Sequence, residues 1–406
     1  MNTIISLIGI ATLLLIAFAF SSHRSNINWR TVGVAFALQF ILGGIALYIP
    51  AGKAALEAIS IGVSGIISYA QSGIDFVFGD LGSMKYGFIF AINVLPVIIF
   101  FSAFVSVLYY IGIMNWIIKI IGGALQRVLG TSQPESMSAT ANIFVSQTEA
   151  PMVVKPFIAT MTRSEIFAVM VGGMATVAGS VLAGYVGLGV ELKYLLAASF
   201  MAAPGGFLMA KLFLPETQTI NDGEKSVQFE HDQYANVIDA AAAGASNGLQ
   251  LALNIGAMLL AFVSLIALLN GLLGWAGGLI GMDDLSLQFL LGYCFQPLAF
   301  LLGIPWSESQ IAGSFIGQKL VLNEFVAFVD FAEQKTQMSE HTQAVVTFAL
   351  CGFANFSSIA ILLGGLGTIA PNRRKDVAEL GMRAVCAGFM ANLMSAAIAS
   401  FFLSII

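Results

Sequence analysis

Long apolar segments recur along this chain of 406 residues, and they constrain its fold more than any other feature. Each is long enough, or nearly so, to cross a hydrocarbon core of roughly 30 Å as an α-helix. The segments lie near residues 4–20, 31–50, 87–112, 166–189, 194–214, 249–275, 343–369 and 380–406. The whole chain is 58% hydrophobic and 10% charged, which is unusual for a soluble domain. The sequence therefore predicts an all-α polytopic membrane protein with about eight transmembrane helices.

The charged residues between these segments predict the orientation of the chain in the membrane. Positive residues follow the first and third segments, at Arg24, Arg30, Lys119 and Arg127. Acidic residues lie in other connections, at Asp75, Asp80, Asp283 and Asp284. Short loops rich in Lys and Arg stay in the cytoplasm, so the amino terminus is expected outside. An even number of spans would place the carboxyl terminus outside as well.

Charge and composition argue against several functions. A net charge of −5 without a basic face is not typical of a nucleic-acid-binding protein. The three cysteines lie in apolar sequence without metal-ligand spacing, so they are expected in the core. The histidines lie at the edges of polar loops, at His23, His231 and His341. No nucleophile pair of the Ser/His or Cys/His kind is indicated, and the chain is not expected to be an enzyme.

An internal repeat relates the middle of the chain to its end. Residues 134–151 and 307–326 both begin with a Glu-Ser pair and reach a second acidic residue after a similar interval. These second acidic residues are Glu149 and Glu324. An amphipathic stretch at 113–130 and a short apolar stretch at 286–303, expected to form interfacial helices, precede the two copies.

The spans that follow the two copies also correspond. Residues 174–189 align with 353–367, which sets Thr176 opposite Asn355. The first copy enters from the Lys/Arg-rich side and the second from the acidic side, so the repeats are inverted. Inverted repeats with short, broken apolar segments indicate the midplane site of a secondary transporter.

Segments 134–162 and 308–338 are predicted to form re-entrant helical hairpins. Their centres are too polar, and their halves too short, to be read easily as single crossings. The tip of such a hairpin exposes backbone groups that lipid cannot satisfy, so it must be buried in protein or line a cavity. Pro151 suits the first turn of a returning helix. The polar run from Asn142 to Pro151 is therefore expected at a hairpin tip near mid-membrane.

Glu149 and Glu324 are the strongest candidates for function. A carboxylate deep in a bilayer costs at least about 3 kcal/mol, so a helix amino terminus, a cation or a hydroxyl-rich solute must compensate it. Glu324, together with Asn355 and Ser358, forms a set that suits a sugar. A protonated glutamate that only makes structural hydrogen bonds is the alternative.

Other polar groups suggest a heterocyclic base and a small cation. Gln147 and Thr148 offer mixed donors and acceptors, as a base edge requires. Neutral oxygens that suit an alkali cation come from the side chains of Asn142 and Thr176 and from the carbonyls of Val145 and Val177. The alternative for Thr176 and Ser358 is a hydrogen bond between helices. Val181 and Phe353 are as readily explained as core residues.

The chain resembles the concentrative nucleoside transporters over nearly its whole length. The resemblance is carried by Ser-Gln-Thr-Glu-Ala-Pro at 146–151, Asn-Glu-Phe at 323–325 and Phe-Ala-Asn-Phe-Ser-Ser at 353–358. It implies a homotrimer in which a static scaffold supports a transport domain that moves like an elevator. The expected division assigns 1–130 and 215–303 to the scaffold, and 131–214 and 304–406 to the transport domain.

The resemblance also implies a role for each site residue. Gln147 and Thr148 would bind the nucleobase with Glu149 close by, and Val181 and Phe353 would flank it. The ribose would be held by Glu324, Asn355 and Ser358. Sodium would lie between the first hairpin tip and the next span, at Asn142, Val145, Thr176 and Val177. Members that use protons tend to lack the asparagine found here at 142, so sodium is favoured.

Ser146 departs from the glycine that many members of the family carry at this place. Serine there tends to accompany a preference for pyrimidine nucleosides, so uridine, cytidine and thymidine are expected ahead of guanosine. The short chain resembles the bacterial members and implies a location in the lipid bilayer of the inner membrane. Two alternatives are a proton-coupled nucleoside symporter, working through Glu149 or Glu324, and a channel for small solutes.

Overall fold

A computed structural model describes residues 2–83, 85, 87–218, 234–279, 281–282 and 285–405. Every regular element within these residues is a helix. Eight helical segments are long and apolar enough to cross a membrane, or nine when one bent pair is counted as a span. The predicted all-α membrane fold is thus confirmed. Three residues used in the predictions, Asp283, Asp284 and His231, lie outside the described ranges.

The first third of the chain forms helices that include one unpredicted candidate span. They are α1 Asn2–Ala19, α2 Trp29–Leu47, α3 Pro50–Ser68, α4 Ala70–Phe78, α5 Phe90–Asn93, α6 Leu95–Tyr110 and α7 Ile113–Leu129. The segment Pro50–Leu81, which covers α3 and α4, qualifies as a span by length and composition. The sequence analysis placed Asp75 and Asp80 in a connection, and this was wrong: Asp75 lies within α4 and Asp80 in the 3-10 turn that follows it. Only 6% of the most apolar window of Pro50–Leu81 is buried, so this segment leaves an apolar face uncovered.

The next helices begin with a hairpin, which we call hairpin 1 (residues 133–158). They are α8 Gln133–Ala141, α9 Lys155–Ile158, α10 Arg163–Ala175, α11 Gly179–Gly187 and α12 Leu192–Phe213. The nine residues of α8 span about 14 Å, too little to cross the membrane. The returning arm is not the continuous helix that Pro151 suggests. It runs as a 3-10 turn over Ala150–Val154 and then as α9, because Pro156 lacks the N–H that a continuous helix would use.

A long helix precedes the second hairpin. This part of the chain forms α13 Val237–Gly278, α14 Leu287–Leu301, α15 Trp306–Val321 and α16 Glu324–Gln334. The 42 residues of α13 span about 63 Å. Helices α15 and α16 form hairpin 2 (residues 306–334), in which Asn323 begins α16 by accepting a hydrogen bond from the Val326 amide at 2.9 Å. The axes of α14 and α15 differ by 116°.

The last helices are α17 Glu340–Leu350, α18 Ser357–Ile369 and α19 Arg374–Leu403. With these bounds, two of the predicted spans are broken in the middle. Segment 343–369 is therefore not one span but α17 and α18, separated by residues 351–356. The amide oxygen of Asn355 accepts from the Ser358 amide at 3.0 Å and from the Ser357 hydroxyl at 2.6 Å. Side chains that bond nearby backbone in this way compete with helix formation. Residues 176–178 interrupt 166–189 similarly, between α10 and α11.

The helices pack in two groups of very different burial. Residues of α10, α11, α12 and α19 form the interior, and 89% of each corresponding window is buried. Helix α13 packs along α6, and only 11% of its window is buried. Helices α1 and α2 pack against α12 and α19. The predicted division into a scaffold (1–130 and 215–303) and a transport domain (131–214 and 304–406) stays a prediction.

The two ends of the described chain lie side by side. The Ser404 hydroxyl donates a hydrogen bond to the Thr3 hydroxyl at 2.8 Å. Because α1 begins at Asn2 and α19 ends at Leu403, both helices have these ends at one face of the bundle. The position of that face outside the cell stays a prediction.

Candidate substrate and ion site

The two helix breaks meet in the interior of the molecule. The amide of Phe353, in the break between α17 and α18, donates a hydrogen bond to the carbonyl of Thr176 at 3.1 Å. Thr176 lies in the break between α10 and α11, and it is buried. A helix break leaves amides and carbonyls without partners in the helix. Here an amide of one break and a carbonyl of the other become hydrogen-bond partners.

Each hairpin also reaches one of the breaks. The Gly179 amide, at the start of α11, donates to the carbonyl of Phe144 in hairpin 1 at 3.0 Å. The Phe356 amide, just before α18, donates to the carbonyl of Leu320 in hairpin 2 at 3.2 Å. The two repeats thus share one kind of contact. A carbonyl of the hairpin accepts a hydrogen bond from an amide at the start of the half-helix that follows the break.

Glu324 lies at the first position of α16, with its carboxylate held by both repeats. Asn355 donates to one oxygen at 2.9 Å and the Tyr185 hydroxyl to the other at 3.3 Å. The glutamate is buried, with 5% of its surface exposed. Tyr185 is on α11, and its ring packs against Phe328 with the centroids 4.3 Å apart. The sequence analysis missed Tyr185, since a single tyrosine in an apolar helix carries little signal.

Gln147 connects hairpin 1 to the second repeat. Its amide donates to the hydroxyl of Ser358 at 3.2 Å, and the Ser358 hydroxyl in turn donates to the Phe353 carbonyl. The amide oxygen of Gln147 is buried and has no hydrogen-bond partner among the described residues. The predicted base and ribose residues are thus in direct contact, although they are 211 positions apart in the chain.

The other polar residues of the hairpin 1 tip bond to one another. The Ser146 hydroxyl lies 3.0 Å from the Thr148 hydroxyl and donates to the Glu149 carboxylate at 2.9 Å. The Ser146 amide donates to the same carboxylate oxygen at 3.0 Å. Glu149 is exposed, unlike Glu324. Hairpin 1 therefore presents a carboxylate that already has two donors, whereas hairpin 2 presents one that is enclosed.

The two predicted flanking residues differ in exposure. Val181, in the first turn of α11, is buried, with 2% of its surface exposed. Phe353 is only partly buried and packs against the core. Phe353 is therefore the flank that leaves part of its ring accessible.

The four predicted ion ligands lie where the hairpin 1 tip meets the break between α10 and α11, which we call the first break. Asn142 ends α8 and is fully buried, and within the part of the chain that the structure describes both polar atoms of its side chain lack hydrogen-bond partners. A side-chain carbon at Gly173 would lie 2.8 Å from Cβ of Gln147 and 3.6 Å from Oδ1 of Asn142, so only glycine permits this approach. The Thr176 hydroxyl donates to the Gly172 carbonyl at 2.9 Å, which leaves its oxygen able to accept or to ligate.

Two further ligands are expected to act through backbone carbonyls. Val145 belongs to the hairpin 1 tip and Val177 to the break, and 8% and 0% of their surfaces are exposed. Among the described residues, no three His, Cys, Asp or Glu side chains are grouped as for a transition metal. A buried amide among neutral oxygens suits a hard monovalent cation instead.

The comparisons with known proteins cover the whole of this architecture. Models of the Na+ dependent nucleoside transporter N-terminus and C-terminus match residues 8–81 and 194–400, and a nucleoside recognition model matches 91–191. The nucleoside permease NupC of Helicobacter pylori is 51% identical over 415 residues, which cover 100% of this chain and 99% of that protein. An uncharacterized transporter of Haemophilus influenzae is 55% identical over 413 residues, covering 100% and 99%.

A solved structure extends the likeness to three dimensions. CNTnw in an inward-facing substrate-bound state superimposes with a TM-score of 0.96 at 55% identity, covering 100% of this chain and 99% of that chain. The expectations of a transporter rather than an enzyme, and of sodium as the coupled cation, are confirmed. From the inverted hairpins, the paired breaks and these matches together, we conclude that the chain belongs to the Na+-dependent nucleoside transporter family.

Proposed function

We propose that this protein imports nucleosides, pyrimidine nucleosides first, by symport with sodium through the site where the two breaks meet. The observation that carries the proposal is the pair of unlike polar groups at that place. An uncharged, buried and unpartnered amide, Asn142, lies at the first break. An enclosed carboxylate, Glu324 of hairpin 2, accepts a hydrogen bond from Asn355 in the second break, between α17 and α18. The first suits a cation and the second suits hydroxyl groups.

Sodium binds at the first break through the side chains of Asn142 and Thr176 and the carbonyls of Val145 and Val177. The unpartnered amide supports this assignment, because a buried polar group without a partner costs about 1–3 kcal/mol that a ligand can recover. Two of these residues belong to hairpin 1 and two to the break. A cation between them holds the hairpin tip against α10. Nucleoside then meets a site that is already ordered, and each ligand raises the affinity of the other by one common factor.

The nucleoside binds at the second break. Its ribose hydroxyls donate to Glu324 and interact with Asn355 and Ser358, while its base bonds to Gln147 and Thr148 beside Glu149. Val181 and Phe353 flank the base. The free amide oxygen of Gln147 supports this arrangement, since a base N–H would give it a partner. The contact between Gln147 and Ser358 brings the base and ribose residues within the span of one nucleoside.

The Ser146 side chain reduces the space available to the base, and this favours pyrimidines. Its hydroxyl is fixed between Thr148 and Glu149 by two hydrogen bonds, so it does not readily turn aside for a larger ring system. Glycine at this position would leave that volume empty. The smaller pyrimidine ring is accommodated beside the serine.

Transport proceeds by elevator motion of a transport domain, residues 131–214 and 304–406, against a static scaffold, residues 1–130 and 215–303. The scaffold includes α6 and α13, which pack along each other. Large apolar residues on α13 are exposed, including Leu260, Leu268 and Trp275 at 75%, 62% and 70%. Lipid of the inner membrane and two further copies of the chain, in a homotrimer, cover this surface, and both termini lie outside the cell.

Uptake of radiolabelled uridine into proteoliposomes tests the function. An inward sodium gradient should drive accumulation above the external concentration, and excess cytidine should compete better than guanosine. Replacing sodium by choline at fixed pH should abolish accumulation. Accumulation that follows a proton gradient without sodium would identify proton coupling, and equilibration without accumulation would identify a channel. Native mass spectrometry of the purified protein checks the trimer.

A further inference from the structure

One asparagine on the last helix bonds to both helix breaks at once. The amide of Asn392, on α19, donates to the carbonyl of Ala175 at 2.6 Å and to the carbonyl of Cys351 at 2.9 Å. Ala175 is the last residue of α10, immediately before Thr176. Cys351 follows the end of α17, two positions before Phe353. Both N–H groups of one side chain are thus divided between the two repeats.

The oxygen of the same amide accepts from a buried lysine of hairpin 2. The Lys319 ammonium lies 2.6 Å from Oδ1 of Asn392 and 2.8 Å from the carbonyl of Ala349. It also lies 5.6 Å from the centre of the Phe389 ring. Lys319 is fully buried and, within the described residues, its hydrogen bonds go to neutral oxygens. Charged groups at membrane depth are rare and by default functional.

Two glycines near Asn392 allow α19 to lie close to both breaks. A side-chain carbon at Gly352 would lie 2.3 Å from Oδ1 of Asn392. At Gly388, one turn earlier on α19, it would lie 2.8 Å from Cβ of Met174 at the end of α10. Both positions therefore require glycine for α19 to approach the two breaks. The amide of Asn392 is 1% exposed and has all its donors used, so it cannot shift without losing a bond.

We propose that Asn392 and Lys319 are positioning residues that couple the sodium site to the nucleoside site. The inference rests on the proposed function, because it takes the ion ligands to be at the first break and the ribose ligands at the second. Sodium at Thr176 and Val177 fixes the adjacent Ala175 carbonyl. Asn392 transmits that position to Cys351 and, through Lys319, to the arm of hairpin 2 that leads to Glu324. Neither residue contacts a ligand.

The coupling factor measures this role directly. It is the ratio of uridine dissociation constants without and with saturating sodium, and it must equal the corresponding ratio for sodium. We expect Asn392→Ala to reduce the factor at least fivefold, with the loss mainly in uridine affinity at saturating sodium. The matched control is Ser395→Ala, because Ser395 is also buried on α19 but bonds to Gln39 and the Ala391 carbonyl instead of the breaks. The control should keep the wild-type factor.

A second variant keeps the inference testable if Asn392→Ala is not recovered from the membrane. Lys319→Met retains the length of the side chain but removes the ammonium, and it should also reduce the factor at least threefold. Binding of uridine to purified protein, measured by calorimetry across a sodium series, gives the readout. A role in stability alone would lower the unfolding temperature and leave the factor within twofold of wild type. That result in either recovered variant overturns the coupling role.

The same measurement separates this inference from the proposed function. If sodium leaves uridine affinity unchanged in the wild-type protein, then the proposed sodium-coupled function fails. If the wild type shows coupling and either recovered variant retains it, only the coupling role of Asn392 and Lys319 fails.

Discussion

The amide of Phe353 bonds to the carbonyl of Thr176 at 3.1 Å, and this contact joins two helix breaks that belong to inverted repeats. Thr176 is a proposed ion ligand, and Phe353 is a proposed flank of the base. The two ligand sites are therefore separated by a single backbone hydrogen bond. Because the two breaks share a hydrogen bond, a shift of the backbone at one break alters the hydrogen-bond partners available to the backbone of the other. The proposed linkage between ion binding and nucleoside binding therefore needs only this contact between backbones and no change of covalent bonds.

Replacing Asn142 by alanine should weaken sodium activation and leave the preference among bases intact. The side chain supplies one of four proposed oxygen ligands, and its loss should raise the half-saturating sodium concentration at least tenfold, or about 1.4 kcal/mol. Uridine uptake across a sodium series provides the measurement. Thr140→Ala is the control, since Thr140 is buried on α8 but bonds to the Ser136 carbonyl. A variant with normal sodium dependence and altered base preference would contradict the ion assignment.

Replacing Glu324 by glutamine should nearly abolish uptake while the protein still reaches the membrane. The neutral amide keeps the shape of the side chain but loses an acceptor and the charge that strengthens bonds from hydroxyls. We expect a fall in uptake of about 100-fold, which corresponds to roughly 2.7 kcal/mol and lies in the range for bonds to charged groups. Glu333→Gln, at an exposed position on the same helix, should transport normally. Normal uridine uptake by Glu324→Gln would remove the ribose assignment.

Replacing Tyr185 by phenylalanine should impair nucleoside affinity less than the change at Glu324. The substitution removes the hydroxyl that donates to Glu324 and keeps the ring that packs against Phe328. A lost bond of about 1.5 kcal/mol to a charged group predicts a rise in the uridine KM of about tenfold. Tyr194→Phe is the control, because Tyr194 is on α12 and packs against Phe348. An unchanged KM would show that the Tyr185 hydroxyl does not orient the carboxylate.

Replacing Ser146 by glycine should admit purine nucleosides. The change removes a hydroxyl that is bonded to Thr148 and Glu149 and introduces a residue without a side chain. We expect the ratio of guanosine to uridine uptake to rise at least fivefold. Cytidine uptake in the same vesicles serves as the internal control, since a pyrimidine does not need the extra volume. A ratio that stays at the wild-type value would assign the selectivity to another residue.

Sequence patterns predict the hairpins and their tips well, for a physical reason. A carboxylate or amide in a long apolar chain stands out, since the bilayer makes it costly. Glu324 and Asn142 were singled out for this reason, and both are buried in the structure. The inverted repeat set Thr176 opposite Asn355. The breaks themselves meet through backbone atoms, which leave no mark on the sequence. The long, apolar segment 343–369 was consequently predicted as a single span.

The residues that sequence patterns missed are single polar side chains whose partners are distant in the chain. Asn392 and Ala175 are 217 positions apart, and Tyr185 and Glu324 are 139 apart. In a helix such as α19, one asparagine is as readily explained by a bond between neighbouring helices. Only the fold shows that Asn392 reaches two carbonyls and an ammonium. The division into scaffold and transport domain stays a prediction, because packing within one conformation does not show which helices move.

A buried ion pair at the base of hairpin 1 should set the stability of the transport domain. The ammonium of Lys211, on α12, lies 2.7 Å from the carboxylate of Glu135, on α8, and their side chains are 8% and 0% exposed. The same carboxylate accepts from the Ser132 amide at 2.9 Å, and the ammonium donates to the Ser164 hydroxyl at 3.2 Å. These bonds fix the arm of hairpin 1 to α12 and α10, so the base stays in place while the tip responds to the ion.

Glu135→Gln should therefore lower the unfolding temperature of the purified protein in detergent, because it leaves the Lys211 charge buried and unpaired. Removing one partner of a buried pair typically costs about 3–5 kcal/mol. The double variant Glu135→Gln, Lys211→Met removes both charges and should recover much of that loss, which a double-mutant cycle measures. Glu191→Gln breaks the exposed pair with Lys193 and should change stability little, since such pairs contribute about 1 kcal/mol or less. If the single variant at Glu135 unfolds at the wild-type temperature, the pair does not hold the base of the hairpin, and the motion attributed to the tip alone would have to include the whole arm.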